Sequence, residues 1–268
     1  MPNIPEQARN YLTYIDHGLA VGMQIRDTSA AQIDQFFLPM LIDQANMKYP
    51  GLNTQFASMP AELALKVKQL IAARTISARF ISKMSGGLHF AAIDFRLIGG
   101  KASVIAVESS GQSKTGPLLL GVQITAALAD QQVPARFVVL QSCIQKSGGE
   151  CAMFSLSFAK KMFQEKAHFA RLHQMNLDNL IQKEGSTTFA TRAESLALMP
   201  ASLARHAQSS SWMTEYLSHH PHAATATYGK HNETLQGRFE RYTIQSADGR
   251  CYSNSIEQKR RKEISRLA

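Results

Sequence analysis

A Gly-Gly step at 99–100 divides the run IDFRLIGGKASVIAVE, and it constrains the fold more than any other feature of the chain. Glycine reaches positive φ without a steric penalty, and two glycines between segments rich in Val, Ile and Phe specify a tight antiparallel hairpin. Pairing about that turn sets His89 opposite Ser110 and Glu108 opposite Ala91. His89 and Glu108 then share a face as diagonal neighbours, roughly 7 to 8 Å apart at Cα and within side-chain reach. The hairpin therefore predicts an imidazole beside a carboxylate.

Helical periodicity surrounds this strand region. EQARNYLTYIDHGLA, AQIDQFFLPMLIDQANMKY and PAELALKVKQLIAAR read as helices, the last opened by a Pro in its first turn. From about residue 76 the period shortens, and RFISKM, LHFAAIDFR, ASVIAVE and ARFVVLQSCI read as strands, with a Pro-opened helix PLLLGVQITAALADQ before the fourth. Helical spacing returns at SGGECAMFSLSFAKKMFQEK, where Cys151, Phe154, Phe158 and Met162 form one stripe, and continues in AHFARLHQMNLDNLIQK. After Lys183 the composition turns to Gly, Ser and Thr, followed by a short helix near SWMTEYLSHH and a basic final helix. The expected organisation is an α+β protein: an N-terminal helical segment over 1–75, a core over 76–183, and a C-terminal helical segment over 184–268.

Composition removes several classes. With 44% hydrophobic residues the 268-residue chain fills a core and is not disordered. No window approaches the ~18 apolar residues of a membrane helix, and the opening MPNIPEQARNY lacks the features of a secretory signal, so a soluble protein is expected. Three cysteines make an odd number at spacings that suit neither a disulfide framework nor zinc, which predicts free thiols in a reducing compartment. Net charge is +9, from 29 Lys and Arg against 20 Asp and Glu, but it is spread along the chain. The one dense run, KRRKEISR at 259–266, contains no aromatic residue, which argues against nucleic acid. It reads first as the solvated face of a last helix and, as the sharper alternative, as part of a basic surface for a polyanionic small molecule.

Cys151 follows the flexible SGG at 147–149 and opens a helix, where partial positive charge lowers a thiol pKa and activates it as a nucleophile. Cys143, within FVVLQSCI, reads instead as a buried structural cysteine. Gln145, six residues before Cys151, could donate its amide to a developing oxyanion alongside the Cys151 N–H. In chain order these residues are His, acid, Gln and Cys, an arrangement for acyl transfer.

HFAAIDFR, VIAVES and IQKSGGECAMFSLSFAKK resemble the motifs of the YopJ family, bacterial type III secreted effectors that acetylate proteins. The likeness extends to LPMLIDQANMKYP, LMPASLARHAQ and KHNETLQGRF. It implies a core like that of the ubiquitin-like-protein cysteine proteases, with a small mixed or antiparallel sheet and a helical regulatory unit built from both chain ends. It implies a His89, Glu108, Cys151 triad with Gln145 in the oxyanion hole. It also implies acetyl-CoA as co-substrate and inositol hexakisphosphate as activator. The acetyl group would pass to Ser, Thr or Lys of host proteins after delivery by a type III system into the host cytoplasm. MAP kinase kinases or immune signalling proteins are the partner class. Two positions depart from the family pattern: Ala152 stands where many members have Gly, and Arg205 where members carry a Lys that they autoacetylate.

Arg205, His206, Lys230 and Arg238 are the expected contacts of the polyphosphate, and Lys114 in GQSKTGP, at the entry to a helix, suits a CoA phosphate. His219, His220 and His222 straddle Pro221 without a Cys or acid partner, so no metal is expected there. Two other readings share the residues: a ubiquitin-like-protein protease with the same triad, and a catalytically silent protein that sequesters host kinases.

Overall fold

The computed structural model describes residues 3–22, 28–84, 87–111, 113–229, 231–245, 249 and 251–268. The chain begins with α1 (Ile4–Ala20), α2 (Thr28–Lys48), β1 (Thr54–Ala57) and α3 (Pro60–Ala72). Next come β2 (Ser77–Lys83), β3 (Phe90–Ile98), β4 (Lys101–Glu108), α4 (Thr115–Asp130), β5 (Ala135–Gln141), α5 (Cys151–Gln164) and α6 (Lys166–Leu177). The remaining chain forms α7 (Arg192–Leu198), α8 (Ala201–Ala204), α9 (Ser210–His219), α10 (Pro221–Thr225) and α11 (Leu235–Arg241). It ends with an antiparallel pair, β6 (Thr243–Gln245) and β7 (Cys251–Ser253), and α12 (Ser255–Ile264). This is the expected α+β architecture. Among the described residues no helix is long and apolar enough to cross a membrane.

The first five strands form one mixed sheet in sequence order, antiparallel at β2–β3 and β3–β4 and parallel at both edges. Gly99 and Gly100, with φ of +55° and +78°, make the hairpin turn, and Ile98 pairs with Lys101 and Ala92 with Val107, the register that the Gly-Gly step predicts. Strand alternation sends Phe80, Ile93, Phe95, Val104 and Val139 to one face, where Leu63 and Val67 of α3 and Leu120 and Ile124 of α4 cover them. Ile81, Ala92, Ile105, Val107, Val138 and Leu140 point to the other face. There they meet Phe154 and Phe158 of α5, Phe169 of α6, and side chains of α1, α2, α9 and α12. One core thus contains residues from both chain ends.

Four details differ from the sequence reading, the first being the antiparallel β6–β7 pair inside a C-terminal segment read as helical. The strand β1 was not anticipated; four residues paired along a single edge are too short for a periodicity signal. β5 stops at Gln141, so Cys143 is not inside it: Cys143 follows, half-buried, in a left-handed conformation at φ +51°. The basic run at the C-terminus is not only a solvated face, because Arg260 is fully buried in α12 and Glu263 nearly so. Arg260 Nε lies 3.1 and 3.0 Å from the two oxygens of Asp34 in α2, and the Tyr11 hydroxyl of α1 donates to the same carboxylate at 2.7 Å. Neighbouring Arg261 pairs with Asp16 of α1 at the surface.

Glu257 of α12 is also buried, and among the described residues no group other than the neighbouring Glu150 carboxylate meets its oxygens from another side chain. Burial, and then the nearby Glu150 carboxylate, push its pKa well above the usual range. A carboxyl raised in the folded state takes up a proton on folding, so its contribution falls as pH rises from the ordinary carboxyl range through the raised value. The isosteric, uncharged Glu257→Gln is therefore expected to raise the melting temperature near neutral pH, and to raise it less at about pH 5. Thermal melts at both pH values check this, and equal shifts would contradict it.

Candidate active site

His89 immediately precedes β3 and Glu108 closes β4, so the hairpin register brings them together. His89 Nε2 lies 3.1 Å from Glu108 Oε1. Glu108 has no solvent exposure, and an unpartnered carboxylate would be strongly disfavoured there. Its oxygens accept from the backbone N–H groups of Ser110, at 2.8 Å, and Gly111. Gly111 has φ +81°, and a Cβ at that position would collide with the Cys143 sulfur, so both conformation and space call for glycine.

Cys151 is the first residue of α5, and no side chain caps that helix. The uncapped N–H groups and the positive end of the dipole lie at the end of α5 that carries the thiol. Its Sγ lies 3.5 Å from His89 Nδ1 and 3.4 Å from Gln145 Nε2. Gln145 is buried four residues beyond the end of β5. Its Oε1 accepts from Ser109 Oγ at 2.6 Å while Nε2 donates to the Ser147 carbonyl at 2.9 Å, which turns the amide N–H groups toward the sulfur. Burial alone would lower the His89 pKa, but the contacts with Cys151 and Glu108 outweigh it and the imidazole is pushed up to about 9. An acid, an imidazole that holds a proton at neutral pH, a thiol and an amide donor thus meet in one place. That set can add a thiol to an acyl carbon and stabilise the resulting oxyanion.

The side chains expected at phosphates fall in two places. Arg205, His206 and Arg238 come together, Arg238 Nε donating to the Arg205 carbonyl at 2.9 Å and its Nη2 to Ser255 Oγ at 3.1 Å. His206 Nδ1 lies 2.7 Å from the same hydroxyl, and burial, then Arg238 and Lys259, keep its pKa well below the usual value, so it is neutral. Lys161 of α5 and Lys259 of α12 complete the cluster. Lys161 is pushed down to about 8 by burial, then by Arg205 and Lys259. Sequence reasoning missed Lys161, a lysine at the end of an apolar stripe, and reached Lys259 only within the basic run, as the alternative to a solvated face. Among the described residues Arg205 Nε is buried without a partner. Lys230 lies outside the described residues. Lys114 stands apart, exposed at the N-cap of α4, and two residues on Gly116 abuts the His89 ring, where an added Cβ would sit 3.4 Å from Cγ. His220 stacks on Tyr216 and its Nε2 meets the Leu196 carbonyl at 2.7 Å. No group of three or more His, Cys, Asp or Glu among the described residues could hold a metal ion.

Comparison with known proteins gives the same direction. The serine/threonine-protein acetyltransferase YopJ of Yersinia pestis is 29% identical over 264 residues, covering 98% of this chain and 90% of the relative. The same protein from Yersinia pseudotuberculosis matches equally. A solved structure of AvrA delL154 with IP6 and CoA superposes with a TM-score of 0.92 at 31% identity, covering 100% of this chain and 99% of that one. HopZ1a in complex with IP6 shares the fold, with a TM-score of 0.79 at 18% identity over 97% of this chain and 91% of that one. The profile of the family described as YopJ Serine/Threonine acetyltransferase matches residues 6–266, and with nearly the whole chain matched, this protein belongs to that family.

Proposed function

We propose that this acetyltransferase works by a two-step route through an acetyl-Cys151 intermediate. The observation that carries the reading is the His89 ring held between the Glu108 carboxylate and the Cys151 thiol. His89 holds the proton at Nδ1 opposite the Cys151 sulfur, and Sγ, as the thiolate, forms a bond to the thioester carbonyl carbon of acetyl-CoA. The Gln145 amide and the N–H groups of the α5 N-terminus donate to the oxyanion. The C–S bond to CoA then breaks and the departing thiolate takes the proton from His89. In the second step His89 removes a proton from a Ser or Thr hydroxyl or a Lys amine of the acceptor protein, which attacks the acetyl-cysteine and releases the Cys151 thiolate. Glu108 holds the ring orientation throughout.

The cluster of Lys161, Arg205, Arg238 and Lys259 is read as the site of inositol hexakisphosphate, with His206 as a neutral hydrogen-bonding neighbour and Lys230 nearby in the chain. The fit rests on like charges that depress one another and on the orphaned Arg205 Nε, both of which a polyphosphate would relieve. Exposed Lys114, close to His89 through Gly116, suits a CoA phosphate. In this reading residues 76–183 form the catalytic core, and 1–75 with 184–268 form a regulatory unit around it. Delivery by a type III system into the host cytoplasm, with MAP kinase kinases or immune signalling proteins as acceptors, follows the family.

Incubation with labelled acetyl-CoA, with and without inositol hexakisphosphate, is the test. Label on the chain or on an acceptor protein, increased by the polyphosphate, is expected; hydrolysis of a ubiquitin-like conjugate without labelling would favour the protease reading instead. Cys151→Ala should abolish labelling with an unchanged melting temperature, whereas Cys143→Ala, which loses contacts with Gly111 and Arg192 and none with Cys151, His89 or Gln145, should keep activity. Full labelling by Cys151→Ala would overturn the assignment.

The raised His89 pKa sets a pH dependence. The protonated ring is present below about 9, so kcat/KM is expected to hold through neutral pH and fall as pH rises past that value. Glu108→Gln removes one of the contacts that raise the pKa, so its alkaline limb should move to lower pH, with a loss of at least ~10²-fold at the optimum. Steady-state rates across pH check both, and an unmoved limb would contradict the contact's role.

A further inference from the structure

The segment Lys146–Glu150 joins the Gln145 amide to the Cys151 thiol. It contains two glycines and no helix or strand, yet Ser147, Gly149 and Glu150 are buried. A stretch of that composition has little conformational preference of its own, so its course depends on what grips it.

Two side chains from the C-terminal part of the chain do so. Gln208, between α8 and α9 and almost fully buried, accepts at Oε1 from the backbone N–H groups of Lys146 at 2.6 Å and Ser147 at 3.1 Å. Its Nε2 donates to Ser147 Oγ at 3.1 Å and to the Glu150 carboxylate. Arg260 of α12, anchored on Asp34, donates from Nη2 to the Gly149 carbonyl at 3.2 Å. Each gripping residue lies beside a member of the cation cluster: Gln208 follows Arg205 and His206 by three and two residues, and Arg260 directly follows Lys259. The cluster and the grip therefore share two short stretches of chain.

We propose that Gln208 and Arg260 are positioning residues that carry occupancy of the cation cluster to the Gln145–Cys151 loop. This rests on the reading of that cluster as a polyphosphate site. A polyanion that draws Arg205 and Lys259 together brings both gripping side chains onto the loop, and fixes the distance between the Gln145 amide and the sulfur. With the cluster empty, repulsion between those cations works against the same closure. Loop placement alters stabilisation of the oxyanion more than the binding of acetyl-CoA, so the effect falls on kcat.

The test uses the full chain and inositol hexakisphosphate itself. Gln208→Met keeps the shape of the side chain and removes its polar grip. It should bind the polyphosphate with unchanged affinity by calorimetry and keep KM for acetyl-CoA, while kcat falls about tenfold or more. Alkylation of Cys151 by iodoacetamide, followed by peptide mass spectrometry, should respond to the polyphosphate in the unsubstituted protein and not in the variant. Arg260→Lys retains a charge for Asp34 but gives up the guanidinium reach to Gly149; it should act in the same direction, and it decides the question if Gln208→Met does not fold. A variant that binds the polyphosphate and keeps both kcat and the alkylation response overturns the coupling alone. An unsubstituted protein that does not bind the polyphosphate overturns the cation-site reading, and the coupling with it.

Discussion

The placement of the reactive groups depends on one buried carboxylate. Glu108 has no access to solvent, and a charge in that position persists only when its oxygens are met. Backbone N–H groups of Ser110 and Gly111 meet them because the chain turns sharply as β4 ends, and His89 Nε2 supplies the third contact. The backbone of Glu108 is held in turn, its carbonyl accepting from the N–H of Ser142 at 2.9 Å and from the Ser142 hydroxyl at 2.8 Å, just past the end of β5. Hairpin, turn and strand end are thus all conditions for an imidazole that keeps its proton beside Cys151.

A second set of buried polar contacts joins the two chain ends to this centre. Asp34 of α2, Tyr11 of α1 and Arg260 of α12 form one hydrogen-bonded group with no exposure at Asp34 or Arg260. Removing one partner of such a pair leaves the other charge uncompensated, at a cost of about 3–5 kcal/mol. On the opposite side Trp212 of α9 donates from Nε1 to the Ser142 carbonyl at 2.6 Å, one residue after β5 ends. Segments distant in sequence are therefore fastened to the very residues that border Glu108, Gln145 and Cys151. The division into core and regulatory segments describes order along the chain, while the apolar core runs through all of them.

Local signals made the hairpin and the meeting of His89, Glu108, Gln145 and Cys151 readable from sequence. A Gly-Gly turn specifies register, register pairs His89 with Glu108, and a cysteine after Ser-Gly-Gly at the start of an apolar stripe marks a helix N-terminus. The parts that were not readable depend on contacts between distant segments. Gln208 is one amide among many until its six hydrogen-bonding contacts to the 144–150 stretch are seen in three dimensions. Lys161 looks like a surface charge until α5 brings it to Arg205, and Lys259, legible only as part of a basic run, meets it there from α12. Cys143 reads as part of an apolar strand because Phe137 to Leu140 do form one, but Cys143 itself lies past the strand end in a left-handed turn beside Gly111. The short helices between Arg192 and Arg241 carry too few turns for a periodic pattern to stand out.

The central claim is that acetyl groups pass through the Cys151 sulfur. Rapid mixing of the protein with acetyl-CoA and inositol hexakisphosphate, without an acceptor protein, followed by acid quench and mass spectrometry, tests it most directly. The account predicts one acetyl group per chain, located on Cys151, labile to hydroxylamine, and transferred when acceptor is added before the quench. An acetylated acceptor formed with no acetyl-Cys151 at any time point, or by a chain in which Cys151 has been alkylated, would contradict it.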